Sequence, residues 1–220
     1  KWKVPIVITS LGAKEFVNEA VHSYGGIVLH DIISNRFAKK AIAKGADGVI
    51  AVAAGAGGHA GALSPFALVQ EIREWFDGPL LLSGSIANGD AVLASQAMGA
   101  DLAYIGSAFI ATDEANAVQG YKQSVVDNNA EDIVLSNLFT GVSGNYLKPS
   151  IEAAGLDPSN LPTSDASKMS FGSGSDSESK AWKDIWGCGQ GIGAVKSVQT
   201  TEALVGRLSA EYRAAKSRLV

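Results

Sequence analysis

Leu80-Leu81-Leu82-Ser83-Gly84-Ser85-Ile86 and Leu102-Ala103-Tyr104-Ile105-Gly106-Ser107-Ala108-Phe109 each carry an apolar strand into a glycine-bearing end. Upstream lies a third apolar strand, Gly48–Ala53, that runs into a histidine enclosed by glycines, Gly55-Ala56-Gly57-Gly58-His59-Ala60-Gly61. Continuous apolar runs of this length suit parallel strands buried on both faces. Working backwards, Val4–Thr9 and Ile27–His30 read as two more such strands, so the first half predicts five: Val4–Thr9, Ile27–His30, Gly48–Ala53, Leu80–Ser83 and Leu102–Ile105.

Amphipathic helices separate them. Phe16, Val17, Ala20 and Val21 form one stripe, and Phe37, Ala38, Ala41 and Ile42 another. Ser64 and Pro65 mark the start of a third helix, with Phe66, Val69, Ile72 and Phe76 along one face. Glycines at Gly25-Gly26, Gly45 and Gly99 close helices before the next strand. Alternating strand and helix predicts an α/β fold with parallel strands, closed either as an open doubly wound sheet or as a TIM (β/α)₈ barrel. In barrels, phosphate sites favour the loops after the last two strands. The glycine ends at Gly84 and Gly106 follow the last two strands of the series, which favours the barrel and makes the visible strands its fourth to eighth. The expectation is therefore an N-terminally truncated chain, with residues 1–112 as five βα units and 113–220 as a helical extension. Within that extension, a Ser- and Gly-rich stretch near 163–180 predicts a flexible loop, and Thr201 is expected to cap a last helix.

Composition narrows the partners. A net charge of −4 supplies no basic stripe for nucleic acid. No apolar run approaches a membrane span, and the N-terminus does not have the pattern of a signal peptide. Cys188 is the one cysteine, which excludes an internal disulfide and predicts a reducing, cytoplasmic setting with an inert thiol. Self-association into a homo-oligomer is left open. No histidine–carboxylate spacing suggests a metal site.

Bare backbone N–H groups at Gly84, Ser85, Gly106 and Ser107 can approach an anion closely, so the two ends predict a phosphate cradle. Imidazole takes up a proton near neutral pH, which makes His59, at a strand's C-terminal end beside that cradle, the candidate for proton chemistry. His30 ends another strand and is followed by Asp31; both are expected either to face the site or to serve locally, with Asp31 capping the next helix.

These residues resemble the nitronate monooxygenase family, formerly the 2-nitropropane dioxygenases. The resemblance lies in Ala56-Gly57-Gly58-His59-Ala60-Gly61, Leu82–Gly89, Met98–Asp101, Gly106–Ala115 and the tail Trp186-Gly187-Cys188-Gly189-Gln190-Gly191-Ile192-Gly193. It implies an FMN-binding TIM barrel that oxidises alkyl nitronates with O₂, giving a carbonyl product and nitrite, with a small-molecule substrate. It also implies His59 as the active-site histidine. The implied cofactor-binding set is Gly57, Gly58, Ser83, Gly84, Ser85, Gly106, Ser107, His30 and Gln190. Ser83-Gly84-Ser85 stands where the family usually has Ser-Gly-Gly, and Gly106-Ser107-Ala108-Phe109 where it has Gly-Thr-Arg-Phe. Asp31 stands where several members carry a lysine near the flavin. The FMN-dependent enoyl-ACP reductases, with a similar Gly-Gly-His segment, are the nearest enzymatic alternative; a non-catalytic flavin-binding protein is an alternative of another class.

Overall fold

The computed structural model describes residues 2–164 and 184–219. Five parallel strands form one sheet: β1 (Ile6–Thr9), β2 (Ile27–Ile32), β3 (Gly48–Val52), β5 (Leu80–Ser83) and β6 (Leu102–Ala103), adjacent in that order. Helices α1 (Glu15–His22), α2 (Asn35–Ala43), α3 (Pro65–Arg73) and α4 (Gly89–Ala97) fill the crossovers. The ladder starts at Ile6 rather than Val4, because Pro5 contributes a carbonyl to Ile27 but has no N–H to give.

Register decides between the two closures. Thr9, His30, Val49 and Leu80 are lateral neighbours and point to one side. On that side Val49, Ala51, Leu80 and Leu82 pack with Ala38 and Ala41 of α2, Leu68, Val69 and Ile72 of α3, and Ala91 and Val92 of α4. Fully burying one such Leu or Val is worth about 1.5–3 kcal/mol. The other side carries Leu29, Ile50, Val52 and Leu81, covered by Ala56 and Ala60 and, among the described residues, by no helix. A doubly wound sheet has helices on both faces; this one has them on one, with strands in sequential order, as an arc of a TIM barrel requires.

The same register corrects the expectation for His30 and decides between the two open for Asp31. His30 belongs to the helix-facing side, is buried, and meets Thr9 Oγ1 at 2.6 Å through Nδ1. It does not face the barrel interior, and it cannot join the cofactor-binding residues there. Asp31, one residue on, points inward beside Ile50's row, with Oδ1 buried and without a hydrogen-bond partner. It does not cap α2 either; that is done by Ser34, which accepts from Phe37 N.

The segment expected to be a helical extension is mixed. It holds α6 (Gln119–Asp127), after the short α5 (Ser107–Ile110), then β7 (Ile133–Ser136), β8 (Gly144–Leu147), α7 (Lys148–Ala153) and α8 (Thr201–Leu219). β7 and β8 form an antiparallel sheet with the two-residue β4 (Gly58–His59), in the order β4-β8-β7. Thr200, not Thr201, caps α8 by accepting from Ala203 N. Residues 165–180 of the expected flexible loop lie outside the described residues. Among the described residues no helix is long and apolar enough to cross a membrane.

Two outcomes are expected. Ile6, Ile8, Ile27 and Leu102 on the inner side are 50%, 44%, 39% and 58% exposed, so the 220-residue chain alone should enhance ANS fluorescence and self-associate. Absence of both would mean that this face is covered in solution. Burial pushes Asp31 up from 3.8 to about 6. The folded state then holds a proton that the unfolded state releases. The associated stability, on the order of 2 kcal/mol, is present below pH ~4 and lost as pH rises to about 6. Asp31→Asn should remove that slope from denaturant midpoints measured across pH 4–7.

Candidate functional site

The loops after β3, β5 and β6 meet the segment 187–191 at one end of the sheet. Their cleft is lined by Gly55, Ala56, Gly57, Ser83, Gly84, Ser85, Ile86, Ala87, Tyr104, Gly106, Ser107, Gly189 and Gly191. The structure therefore brings together six of the residues singled out in the sequence: Gly57, Ser83, Gly84, Ser85, Gly106 and Ser107. Gly55, Tyr104, Gly189 and Gly191 were missed as lining residues, although the glycine cluster in the tail was the available signal.

Backbone contact is close throughout. Gly55 O accepts Ser85 N–H at 3.3 Å and Gln190 N–H at 2.9 Å. A Cβ on Gly55, whose φ is +84°, would fall 2.0 Å from Ser85 Oγ. A Cβ on Gly57 would fall 2.7 Å from both Gly189 N and Ser107 Oγ. Ser85 itself has φ 55°, a left-handed conformation that costs a non-glycine residue roughly 1 kcal/mol.

These contacts sort the cradle's donors. Ser85 N–H is spent on Gly55 O, so it does not face an anion as expected. The N–H groups of Gly84, Gly106 and Ser107 have no hydrogen-bond partner among the described residues. A Cβ on Gly106 would meet nothing within 4 Å, so that position opens onto the cleft. Ser107 Oγ accepts Gly189 N–H at 2.9 Å, which fixes the tail against the cradle. The cleft thus presents unshielded amides on walls where Gly55, Gly57, Gly84, Gly189 and Gly191 leave no room for a Cβ, with open space at Gly106, which suits a phosphate group.

His59 does not line this cleft. Its strand β4 is zipped to β8, pairing Gly58 with Asn145 and His59 with Gly144. Asn145 Nδ2 donates to Ala56 O at 2.7 Å, and Cys188 N–H donates to Asn145 O at 3.0 Å. His59 Nε2 lies 2.9 Å from Thr140 Oγ1. The Thr140 hydroxyl also reaches Val142 O at 3.1 Å, so the imidazole is tied through Thr140 to the 140–142 turn. Burial holds the imidazole below the usual histidine value, so it is neutral near pH 7. On the far side, Gly61 packs against Ile33, just past Asp31. Neither Gly58 nor Gln190 lines the cleft: Gly58 has φ +68°, and Gln190 Oε1 lies 3.0 Å from a Cβ built on Gly55.

Cys188 is fully buried, and burial pushes its thiol up to about 11, which keeps it protonated and unreactive. Among the described residues no three His, Cys, Asp or Glu side chains are grouped to hold a metal ion.

Known proteins resemble this chain in sequence and in fold. A probable nitronate monooxygenase of Staphylococcus saprophyticus is 34% identical over 108 residues, covering 44% of this chain and 30% of that protein. The nitronate monooxygenase of Paraburkholderia phytofirmans is 29% identical over 125 residues, covering 53% of this chain and 34% of that one. The chain spans less than half the length of such relatives. Among solved structures, nitroalkane oxidase from Streptomyces ansochromogenes superposes with a TM-score of 0.82 at 26% identity, covering 99% of this chain and 66% of that one. FabK from Thermotoga maritima superposes with a TM-score of 0.78 at 21% identity, covering 99% and 70%, and shares the fold. The family model for nitronate monooxygenase matches residues 1–211. With the glycine cradle, the Gly-Gly-His strand and the one-sided arc all inside that match, the chain belongs to the nitronate monooxygenase family.

Proposed function

We propose that this chain is the phosphate-binding and proton-handling part of an FMN-dependent oxidoreductase that oxidises alkyl nitronates with O₂ to a carbonyl compound and nitrite. In this reading the five parallel strands are the last five of the barrel, and the preceding three would cover the apolar inner side. The observation that carries the proposal is the convergence of Gly84, Gly106 and Ser107 amides in one cleft, with the His59 strand anchored beside it.

Gly84, Gly106 and Ser107 would hold the FMN phosphate through backbone N–H groups. Their donors need no lysine, in keeping with the acidic composition. Bound flavin supplies the electron transfer to O₂; the protein supplies binding and proton control. The neutral His59, held at Nε2 by Thr140, takes the α-proton of a nitroalkane and so delivers the nitronate. Gly58, where a Cβ would meet nothing within 4 Å, leaves space for a flat ligand near the imidazole. The likeness to FabK supports the barrel but does not favour a reductase over this reading.

Four measurements test it. Protein carrying the preceding part of the barrel should purify yellow and release nitrite from a nitroalkane under air; a colourless, inactive preparation would remove the flavin reading. Gly106→Val should weaken FMN binding by about tenfold or more, since 1.4 kcal/mol is a decade, and unchanged affinity would remove Gly106 from the cradle. His59→Asn should retain flavin and lose about 10²–10⁴ in turnover of a neutral nitroalkane, with a smaller loss on preformed nitronate. Because burial lowers the His59 pKa, the nitroalkane rate should rise with pH to a plateau reached below the ordinary histidine range. Equal losses on both substrates would reassign His59 from base to anion binding.

A further inference from the structure

The C-terminal helix α8 contacts the cradle loop through a matched pair of bonds. Glu211 Oε2 accepts Gly89 N–H at 2.8 Å, and Glu211 Oε1 accepts from Arg207 Nη1 at 2.7 Å. Arg207 Nη2 donates to Ala87 O at 3.2 Å. The pair thus grips the backbone on both sides of Asn88, whose own side chain caps α4 by accepting from Ala91 N at 2.8 Å. Ala87 lies on the cleft wall with Ser83, Gly84 and Ser85.

Three features separate this from ordinary helix stabilisation. On an isolated helix the acid-first order at i,i+4 is the favourable one, and here the base comes first, so α8's own stability does not account for the pair. Both side chains are half-buried, and each makes a charge-assisted bond to a main-chain group, stronger than a neutral one. The backbones of the two elements also touch: a Cβ on Gly89 would fall 2.1 Å from Tyr212 N and 2.5 Å from Leu208 O. Tyr212 OH to Gln96 Oε1 at 2.7 Å, and the Arg218–Asp90 ion pair, continue the contact along α4.

We infer that Arg207 and Glu211 are positioning residues that clamp the loop Ser83–Asn88 and thereby hold the Gly84 amide in phosphate-binding geometry. α8 is then a working part of the anion site, although it contributes no lining residue. The inference rests on the phosphate reading of the cleft for its effect on ligand, but the clamp itself can be read without ligand.

The test compares wild type, Arg207→Ala, Glu211→Ala and the conservative Glu211→Gln in the flavin-binding protein. Affinities for FMN and riboflavin are measured by fluorescence quenching, and hydrogen exchange of residues 84–89 is followed without ligand. The alanine variants are expected to exchange the 84–89 amides at least about tenfold faster. They should lose about tenfold in FMN affinity, a decade being 1.4 kcal/mol, with riboflavin within twofold. Glu211→Gln, which keeps an acceptor for Gly89 N–H, should restore most of both. Unchanged exchange in both alanine variants overturns the clamp. Equal losses for FMN and riboflavin overturn the positioning role in favour of general destabilisation. Equal affinity of the wild type for the two flavins removes the phosphate reading, while the exchange rates still decide the clamp.

Discussion

Gly55 O accepts two backbone amides from distant parts of the chain, Ser85 N–H after β5 and Gln190 N–H in the tail. Those two bonds tie three segments into one site, and they form only because the backbones approach without side chains between them. A Cβ on Gly55 would collide with Ser85 Oγ, one on Gly189 would fall 2.7 Å from Gly55 O, and one on Gly191 would fall 2.8 Å from the Ser85 carbonyl carbon. Three glycines on three segments therefore depend on one another. The left-handed Ser85 is part of the same constraint, its strain offset by the bond from its own N–H and by packing over Gly55.

The second sheet performs the equivalent task for His59. A histidine in a run of glycines has little local reason to adopt one orientation. Pairing with β8 fixes its backbone, and Thr140 fixes its ring. Asn145 then links β8 to the Ala56 carbonyl and to Cys188 N–H, so His59 and the glycine cleft are referenced to the same backbone. The region after residue 112 is thus what makes the barrel loops into a site. Its core also joins them, packing Ala87, Ala108 and Ala111 with Val125, Leu147, Ile192 and Leu204.

The positions of the five parallel strands were legible because each is a continuous apolar run between glycine-marked helix ends, a pattern with few other solutions. β5 falls on the expected Leu80–Ser83, and the others shift by one or two residues at one end. The strands β7 and β8 were not legible: Gly144-Asn145-Tyr146-Leu147 has no alternation, since all four residues are buried by tertiary packing. His30 and Asp31 show the same limit. Adjacent strand residues face opposite sides, and which side faces inward depends on where the helices lie.

The sequence by itself determined the α/β grammar, the glycine-bearing strand ends and the presence of a Gly-Gly-His element. These depend on local stereochemistry: glycine's freedom at positive φ, and the burial preference of apolar runs. Tertiary structure alone decided which amides remain unpaired. Ser85 N–H and Gly84 N–H are neighbours with the same local chemistry, yet the first is taken by Gly55 O and the second is left open. It also decided that α8, about 120 residues from the loop it grips, holds Ala87 and Gly89. Such pairings are set by long-range closure of the chain, which no local pattern encodes.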